Sequence, residues 1–364
     1  MDHSKMKTIA FYIGSLTRGG AEHVMVNLAS YFCAQGYKVY LVTKLKEEPE
    51  YDVPDGVTRI LADITEDEET DSRTKNLINR IIKLRAIWKE IKPDIIVSFI
   101  RKNNLMAIAS SRGLKIPVVV GIRSNPEREL SGKAFKTLSF FLFRYAKGIV
   151  MQTTVGVEYL PGYLRKKAVV MPNSIDEKFM DIEYDEQRKP EIAVVGRIDD
   201  NKNQLMVLEA FSDIASEFPE WSLHLYGDGE KRQELEQRFG SDHIVFHGQI
   251  KNVEEKLCNS SIFVLPSKQE GMPNALIEAM AVGVACISTD CPCGGPSDLI
   301  EQEKNGILIA VDDKEELKKQ LIRLMSDTKL RERLGNEAGK IKEKLSPQIV
   351  NLKWEEYLQE LIKS

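Results

Sequence analysis

The sequence predicts an α/β chain of two doubly wound, Rossmann-like domains facing each other across a cleft, and three observations carry that prediction. Its 364 residues are more than one hydrophobic core usually holds. Thirteen short β-rich runs alternate with stretches of helical period. The charge also changes sign along the chain. Residues 1–170 hold 27 Lys and Arg against 18 Asp and Glu, net +9, whereas residues 171–364 hold 24 against 37, net −13. The predicted division is therefore 1–172, an N-terminal domain, and 173–345, a C-terminal one, with 346–364 as a terminal helix that can cross back to the first.

In chain order, the first seven runs are KTIAFYIGSL, YKVYLVT, GVTRIL, PDIIVSF, PVVVGIR, GIVMQTT and KAVVMPN. PEIAVVGRI, WSLHLYGDG, HIVFHGQ, SIFVLPS, ACISTD and GILIAV follow in the second half. Runs that are apolar throughout, separated by amphipathic segments such as AEHVMVNLASYFCAQG, predict parallel sheets covered on both faces. The acidic run DITEDEETD at 63–71 reads as a solvated loop. The segment Pro347–Ile362, with Leu352, Tyr357, Leu358 and Leu361 as its apolar residues, reads as a helix packed on the outside.

Composition excludes several classes. No run approaches the roughly 18 apolar residues that a spanning helix needs. The apolar run near the N-terminus leads straight into a strand pattern without a cleavage site, and five cysteines form no paired framework, so a cytoplasmic chain is expected. Cys291 and Cys293 lie closer than the ligands of a zinc knuckle, with no second pair nearby, so no metal site is expected.

Candidate site residues follow from the rule that open α/β sheets bind ligands at the carboxyl ends of their strands. The turn LTRGGAEH offers Gly19 and Gly20 amides at a helix start, which can meet an anion. After EIAVVG, Arg197 and Lys202 can neutralise a diphosphate. SIFVLPS delivers Glu270, and the helix opened by Pro273 and Asn274 carries Glu278 about one turn in. Either glutamate taken alone is also accounted for as a favourable charge near a helix N-terminus.

Arg197 with Lys202, then EGMPNALIE with its two glutamates, preceded by PNSID at 172–176 and the early GGAE, resembles the retaining nucleotide-sugar glycosyltransferases of family four, whose fold is GT-B. The wording EGMPNALIEAM followed by STDCPCGGPSDLI is most similar to enzymes that build surface polysaccharides or glycans on a polyprenyl diphosphate carrier from UDP-N-acetylgalactosamine or UDP-galactose. The resemblance implies Arg197, Lys202 and Glu270 as catalytic residues and no cofactor beyond the UDP-sugar co-substrate. It implies donor binding by Glu278, by Gly271, Met272, Pro273, Asn274 and Ala275, by Gly19 and Gly20, and by Gly248, Gln249 and Ile250 near the base. Asn173 and Asn203 would support these positions from behind. Many relatives carry a histidine in the N-terminal domain, but here the matching strand ends hold Arg101, Lys102, Asn103, Arg123 and Asn125, the candidate acceptor residues.

Two further readings use the same residues, a sugar-nucleotide epimerase and a non-catalytic nucleotide-sugar-binding protein. The acceptor implied is a lipid-linked saccharide, and nucleic acid is not an expected partner. Residues 73–170 contain 20 basic and 5 acidic side chains, and two amphipathic stretches, 73–92 and 131–148, lie among them. Leu77, Ile81, Leu84, Trp88 and Ile91 form the apolar stripe of the first, and Phe135, Leu138, Phe141, Leu142 and Tyr145 that of the second. Both are expected to meet an anionic membrane surface, placing the protein peripherally on the inner face of the cell membrane.

Overall fold

A computed structural model describes residues 7–17, 19–65, 68–182 and 188–363. The chain forms two compact units, residues 1–171 with 351–364 and residues 172–350. The strand runs of the sequence become two parallel sheets of seven and six strands.

In the first unit the strands are β1 (Thr8–Ile13), β2 (Lys38–Thr43), β3 (Thr58–Leu61), β4 (Ile95–Phe99), β5 (Val118–Gly121), β6 (Gly148–Met151) and β7 (Ala168–Val170), in the order β3-β2-β1-β4-β5-β6-β7. Strands β4, β5 and β6 are buried at every residue, as strands covered on both faces require. The order reverses at β1, which pairs with both β2 and β4. Two strand-end loops therefore diverge there, which is where such sheets hold ligands.

The second unit contains β8 (Lys189–Val195), β9 (Ser222–Tyr226), β10 (Ile244–Gly248), β11 (Ser260–Leu265), β12 (Ala285–Thr289) and β13 (Ile307–Ile309), in the order β10-β9-β8-β11-β12-β13. Its reversal lies between β8 and β11, which are paired in parallel. The segments that follow these two strands carry Arg197 and Lys202 on one side and Glu270 on the other.

The last helix, Pro347–Lys363, ends in the first unit. Its anchor there is Trp354, fully buried against Phe99 with ring centroids 5.9 Å apart. Tyr357 lies over Gly148, and Glu355 accepts hydrogen bonds from Tyr31 (2.8 Å) and Tyr37 (2.9 Å). Leu352, expected among the apolar packing residues, is exposed instead, because the helix turns Trp354 and Leu358 inward.

The stripe expected on 73–92 also needs correction. Leu84 and Trp88 of the helix Arg73–Ile91 are core residues, with the Trp88 indole donating to Ser110 Oγ at 2.8 Å. The exposed apolar residues of that helix are Leu77, Ile78 and Ile82. The helix Lys133–Phe143 needs correction in part: Phe135 and Leu142 of its expected stripe are half-buried against the core, whereas Leu138 is 48% and Phe141 50% exposed, with Tyr145 just beyond it at 45%. No described helix is long and apolar enough to cross a membrane. Residues 66–67 of the acidic run lie outside the described residues, and Asp63 within it is bound by Arg80 at 2.8 Å.

Candidate functional site

In the second unit, Lys202 and Glu270 are brought together from 68 positions apart, with Nζ and Oε1 at 2.6 Å. Ser267 Oγ donates to the same Oε1 at 2.6 Å. Lys202 is held by its own backbone, since Asp199 Oδ1 accepts from the amides of Asn201 (3.0 Å) and Lys202 (2.8 Å). Lys202 and Glu270 thus neutralise each other at the switch point, and their geometry is set by turns. Arg197 stands exposed nearby in sequence, and its side chain has no ion pair among the described residues.

The turn after Glu270 leads into the helix Asn274–Ala281, which has Pro273 at its N-cap and no side-chain cap. Its first amides are therefore open to an acceptor atom from outside the helix. Asn173, buried, donates to Asn274 Oδ1 at 2.6 Å and to the Met272 carbonyl at 3.4 Å, tying the PNSID segment to this turn. The second glycine-rich turn, CGGPSDL, packs against the first. A side chain at Gly295 would collide with the Gly271 carbonyl, so only glycine allows that approach.

Glu278 lies within this helix. Burial pushes its carboxyl up to about 7, Asp176 and Glu254 push the same way, and Lys178 opposes them. Lys178 is itself paired with Glu254 at 3.2 Å. The result is a desolvated carboxyl group with a cation in its surroundings, suited to accepting two hydroxyl hydrogens.

Gly248 ends β10 with φ +70°, and a side chain there would press on the Arg232 guanidinium. Gln249 is exposed and Ile250 partly so. Asn203 does not lie behind the Glu270 turn by any hydrogen bond of its own; its amide donates to Asp312 at 3.0 Å from a left-handed backbone, φ 52°. Cys291 is buried, with its Sγ 3.1 Å from the Ser267 carbonyl, and burial pushes its thiol up to about 11, which suits packing and not reactivity. Among the described residues no group of three or more His, Cys, Asp or Glu is placed to hold a metal.

In the first unit, Gly19 caps the helix Gly20–Ala34 in an extended conformation, without a side-chain cap. Glu22 of its first turn lies against Gly19. Arg101, Lys102 and Asn103 open the helix Arg101–Ser111 after β4. Lys102 is exposed, and Asn103 donates to the Phe99 carbonyl at 3.1 Å. Arg123 is buried beyond β5, with its guanidinium 4.9 Å from the Phe99 ring centroid, and burial lowers it to about 10 while Glu129 opposes the shift. Asn125 caps the short helix Pro126–Glu129 by accepting from the Glu127 amide at 2.9 Å.

Sequence reasoning missed Ser267, Lys178, Arg232 and Glu129. Ser267 alone carried a visible signal, three residues ahead of Glu270 in LPSKQEG. Lys178 and Arg232 meet Glu254 and Gly248 across positions distant in sequence, and Glu129 reaches the Arg101 amide in the same way.

Comparison with known proteins places two models on this chain. Glycosyltransferase Family 4 matches residues 18–179, and Glycosyl transferases group 1 matches residues 176–341. A Campylobacter jejuni GalNAc-alpha-(1->4)-GalNAc-alpha-(1->3)-diNAcBac-PP-undecaprenol alpha-1,4-N-acetyl-D-galactosaminyltransferase is 29% identical over 338 residues, 92% of this chain and 93% of its own. An Escherichia coli UDP-Gal:alpha-D-GlcNAc-diphosphoundecaprenol alpha-1,3-galactosyltransferase is 27% identical, over 68% of this chain and 70% of its own. Among solved structures, HepE from Anabaena in complex with UDP has a TM-score of 0.81 at 15% identity, covering 98% of this chain and all of that one. That likeness, at such low identity, concerns the fold, which is GT-B.

Proposed function

We propose a reaction from the premise that this chain belongs to the family 4 glycosyltransferases: it moves an N-acetylhexosamine or hexose from a UDP-sugar to a lipid-linked saccharide carried on polyprenyl diphosphate, in surface polysaccharide or glycan assembly. The observation that supports it is the Lys202–Glu270–Ser267 cluster beside an uncapped helix start at the β8/β11 switch point. Around that cluster, Glu278 accepts the two ribose hydroxyls, and Gly248, Gln249 and Ile250 lie along the base. Arg197 and Lys202 bind the diphosphate, together with the amides of Met272, Asn274 and Ala275 behind the Gly271–Pro273 turn. Glu270 orients the sugar.

As the bond from the anomeric carbon to the diphosphate oxygen breaks, negative charge grows on the phosphate. Arg197, Lys202 and the helix start stabilise it, and Lys202 shifts from Glu270 toward the phosphate. Glu270, released from its cation, then faces positive character at the anomeric carbon. The acceptor hydroxyl attacks on the same face and passes its proton to the departing phosphate, so configuration is retained without a protein nucleophile. The protein's own cations carry the phosphate charge, and turnover proceeds without a divalent metal.

The first unit supplies the acceptor side through Arg101, Lys102, Asn103, Arg123 and Asn125. Its basic residues attach the enzyme to the anionic inner face of the membrane. Product formation from radiolabelled UDP-N-acetylgalactosamine or UDP-galactose with polyprenyl-diphosphate-linked acceptors tests this reading. A product with inverted configuration, or donor epimerised without an acceptor, would overturn it.

A further inference from the structure

Glu129 stands outside every role given so far, yet it is among the few buried charged residues of the first unit. One carboxylate oxygen accepts from the Arg101 amide at 2.9 Å, and the other from the Arg123 amide at 3.1 Å and the Ser124 hydroxyl at 2.9 Å. Those donors belong to two different strand-end segments, after β4 and after β5, and Glu129 itself ends the short helix Pro126–Glu129.

The backbone at the first of these segments is unusual. Ile100 has φ +74° and Arg101 φ +20°, conformations that residues with side chains rarely adopt. Such a conformation persists only where its surroundings enforce it, and the Glu129 bond to the Arg101 amide acts at that point. Burial pushes the Glu129 carboxyl up, while its hydrogen bonds to Arg101, Ser124 and Arg123 and the Arg123 charge pull it back. The guanidinium groups are placed in turn, Arg101 at 4.5 Å from the Phe135 ring centroid and Arg123 at 4.9 Å from that of Phe99.

We propose that Glu129 is a positioning residue for the acceptor side of this enzyme, fixing Arg101 and Arg123 relative to each other so that both cations meet the diphosphate of the carrier lipid. The inference rests on the acceptor reading given above and deepens it. Because the carboxylate is occupied by backbone donors and a hydroxyl, the strand ends are joined without an acidic side chain facing the ligand through that bond network. Replacing Glu129 with Gln keeps its size but turns one acceptor oxygen into an NH2 group, which opposes an amide or hydroxyl donor and breaks one tie.

The test is calorimetric titration of the full-length chain with undecaprenyl diphosphate in detergent micelles, and separately with UDP, alongside thermal melting. Arg123→Met should weaken undecaprenyl diphosphate at least about tenfold, as loss of a charged contact does. Glu129→Gln should weaken it by a similar factor and leave UDP affinity unchanged. Ser124→Ala removes only one of the three donors, so the fold is kept, and should weaken undecaprenyl diphosphate about threefold at an unchanged melting temperature. That separation of ligand affinity from stability is the sign of positioning. If wild type does not bind undecaprenyl diphosphate, or Arg123→Met binds it equally well, the acceptor reading falls and this inference with it. If Arg123→Met weakens binding while Ser124→Ala and Glu129→Gln do not, or if Glu129→Gln is unfolded and Ser124→Ala unchanged, Glu129 has no positioning role and the acceptor reading stands.

Discussion

A carboxyl group pushed up to about 7 by burial adds nothing to the stability of its unit near neutral pH, so the cost at Glu278 calls for a ligand that repays it. In the role proposed for Glu278, ribose hydroxyls donate to the charged form, so donor binding is expected to require the carboxylate. The sign follows: as pH falls through 7 the group takes up a proton, and donor affinity is lost. Calorimetry with UDP-N-acetylgalactosamine, which does not itself titrate there, should give about a tenfold weaker complex at pH 6 than at pH 8. Glu278→Gln should bind weakly at both pH values. A different result is expected for the paired residues. Glu270→Gln should lower kcat about a hundredfold or more without weakening UDP, because Lys202 is freed from it, whereas Lys202→Ala should lower both kcat and UDP affinity. UDP affinity falling equally in the two variants would refute the separate roles. The phosphate clamp also predicts full turnover in excess EDTA; activity recovered only on adding magnesium or manganese would show that Arg197 and Lys202 do not suffice.

Elements differ in how much of them can be read from local pattern. The central strands were legible because a strand covered on both faces is a continuous apolar run between turn residues, as in PDIIVSF and SIFVLPS, whereas the half-exposed outer strands Thr58–Leu61 and Ala168–Val170 were legible from their place in the alternation of strand and helix patterns. The residues that meet at strand ends were legible as candidates because strand ends follow from strands. What remained hidden depends on contacts between distant positions. The Lys202–Glu270 pair and the tie from Glu129 to the Arg101 amide are set by strand order, which the sequence does not print. Helix stripes were misread for a related reason. Leu84 and Trp88 satisfy the spacing of a membrane-facing stripe, but that spacing is equally the one a helix uses against its own sheet. In the last helix Trp354 escaped notice among Lys353, Glu355 and Glu356, although its ring is the part fully buried against Phe99. Trp354→Ala should therefore cost the first unit about 3–5 kcal/mol, and Leu352→Ala, at an exposed position, less than about 0.5 kcal/mol, by chemical denaturation. Equal losses would mean that the helix is not anchored through its indole.

At the scale of the whole molecule the dominant fact is the opposition of charge, net +9 before residue 171 and net −13 after it. An acidic half is repelled by an anionic membrane while a basic half is drawn to it, so attachment is expected through the first half alone. One exposed patch of the first unit carries this expectation. On the helix Lys133–Phe143 and just beyond it, Leu138, Phe141 and Tyr145 are exposed at spacings of three and four, and Lys133, Lys136, Arg144 and Lys147 are exposed or half-buried beside them. Arg112 lies 3.8 Å from the Tyr145 ring centroid, adding a cation to the same patch. No acidic residue occurs from Leu130 to Val157 to oppose them. Each cation near an anionic bilayer contributes about 1 kcal/mol, enough in sum for attachment that salt reverses. Liposomes with anionic lipid should therefore retain the protein at low salt and release it at high salt. Lys133→Glu with Lys136→Glu should reduce retention about tenfold or more, and Phe141→Ser should reduce it at every salt concentration, because apolar insertion is not screened. UDP affinity, which the proposed reaction assigns to the second unit, should not change in either variant. Equal partitioning onto neutral and anionic liposomes would show that the charge division serves something other than attachment to a membrane.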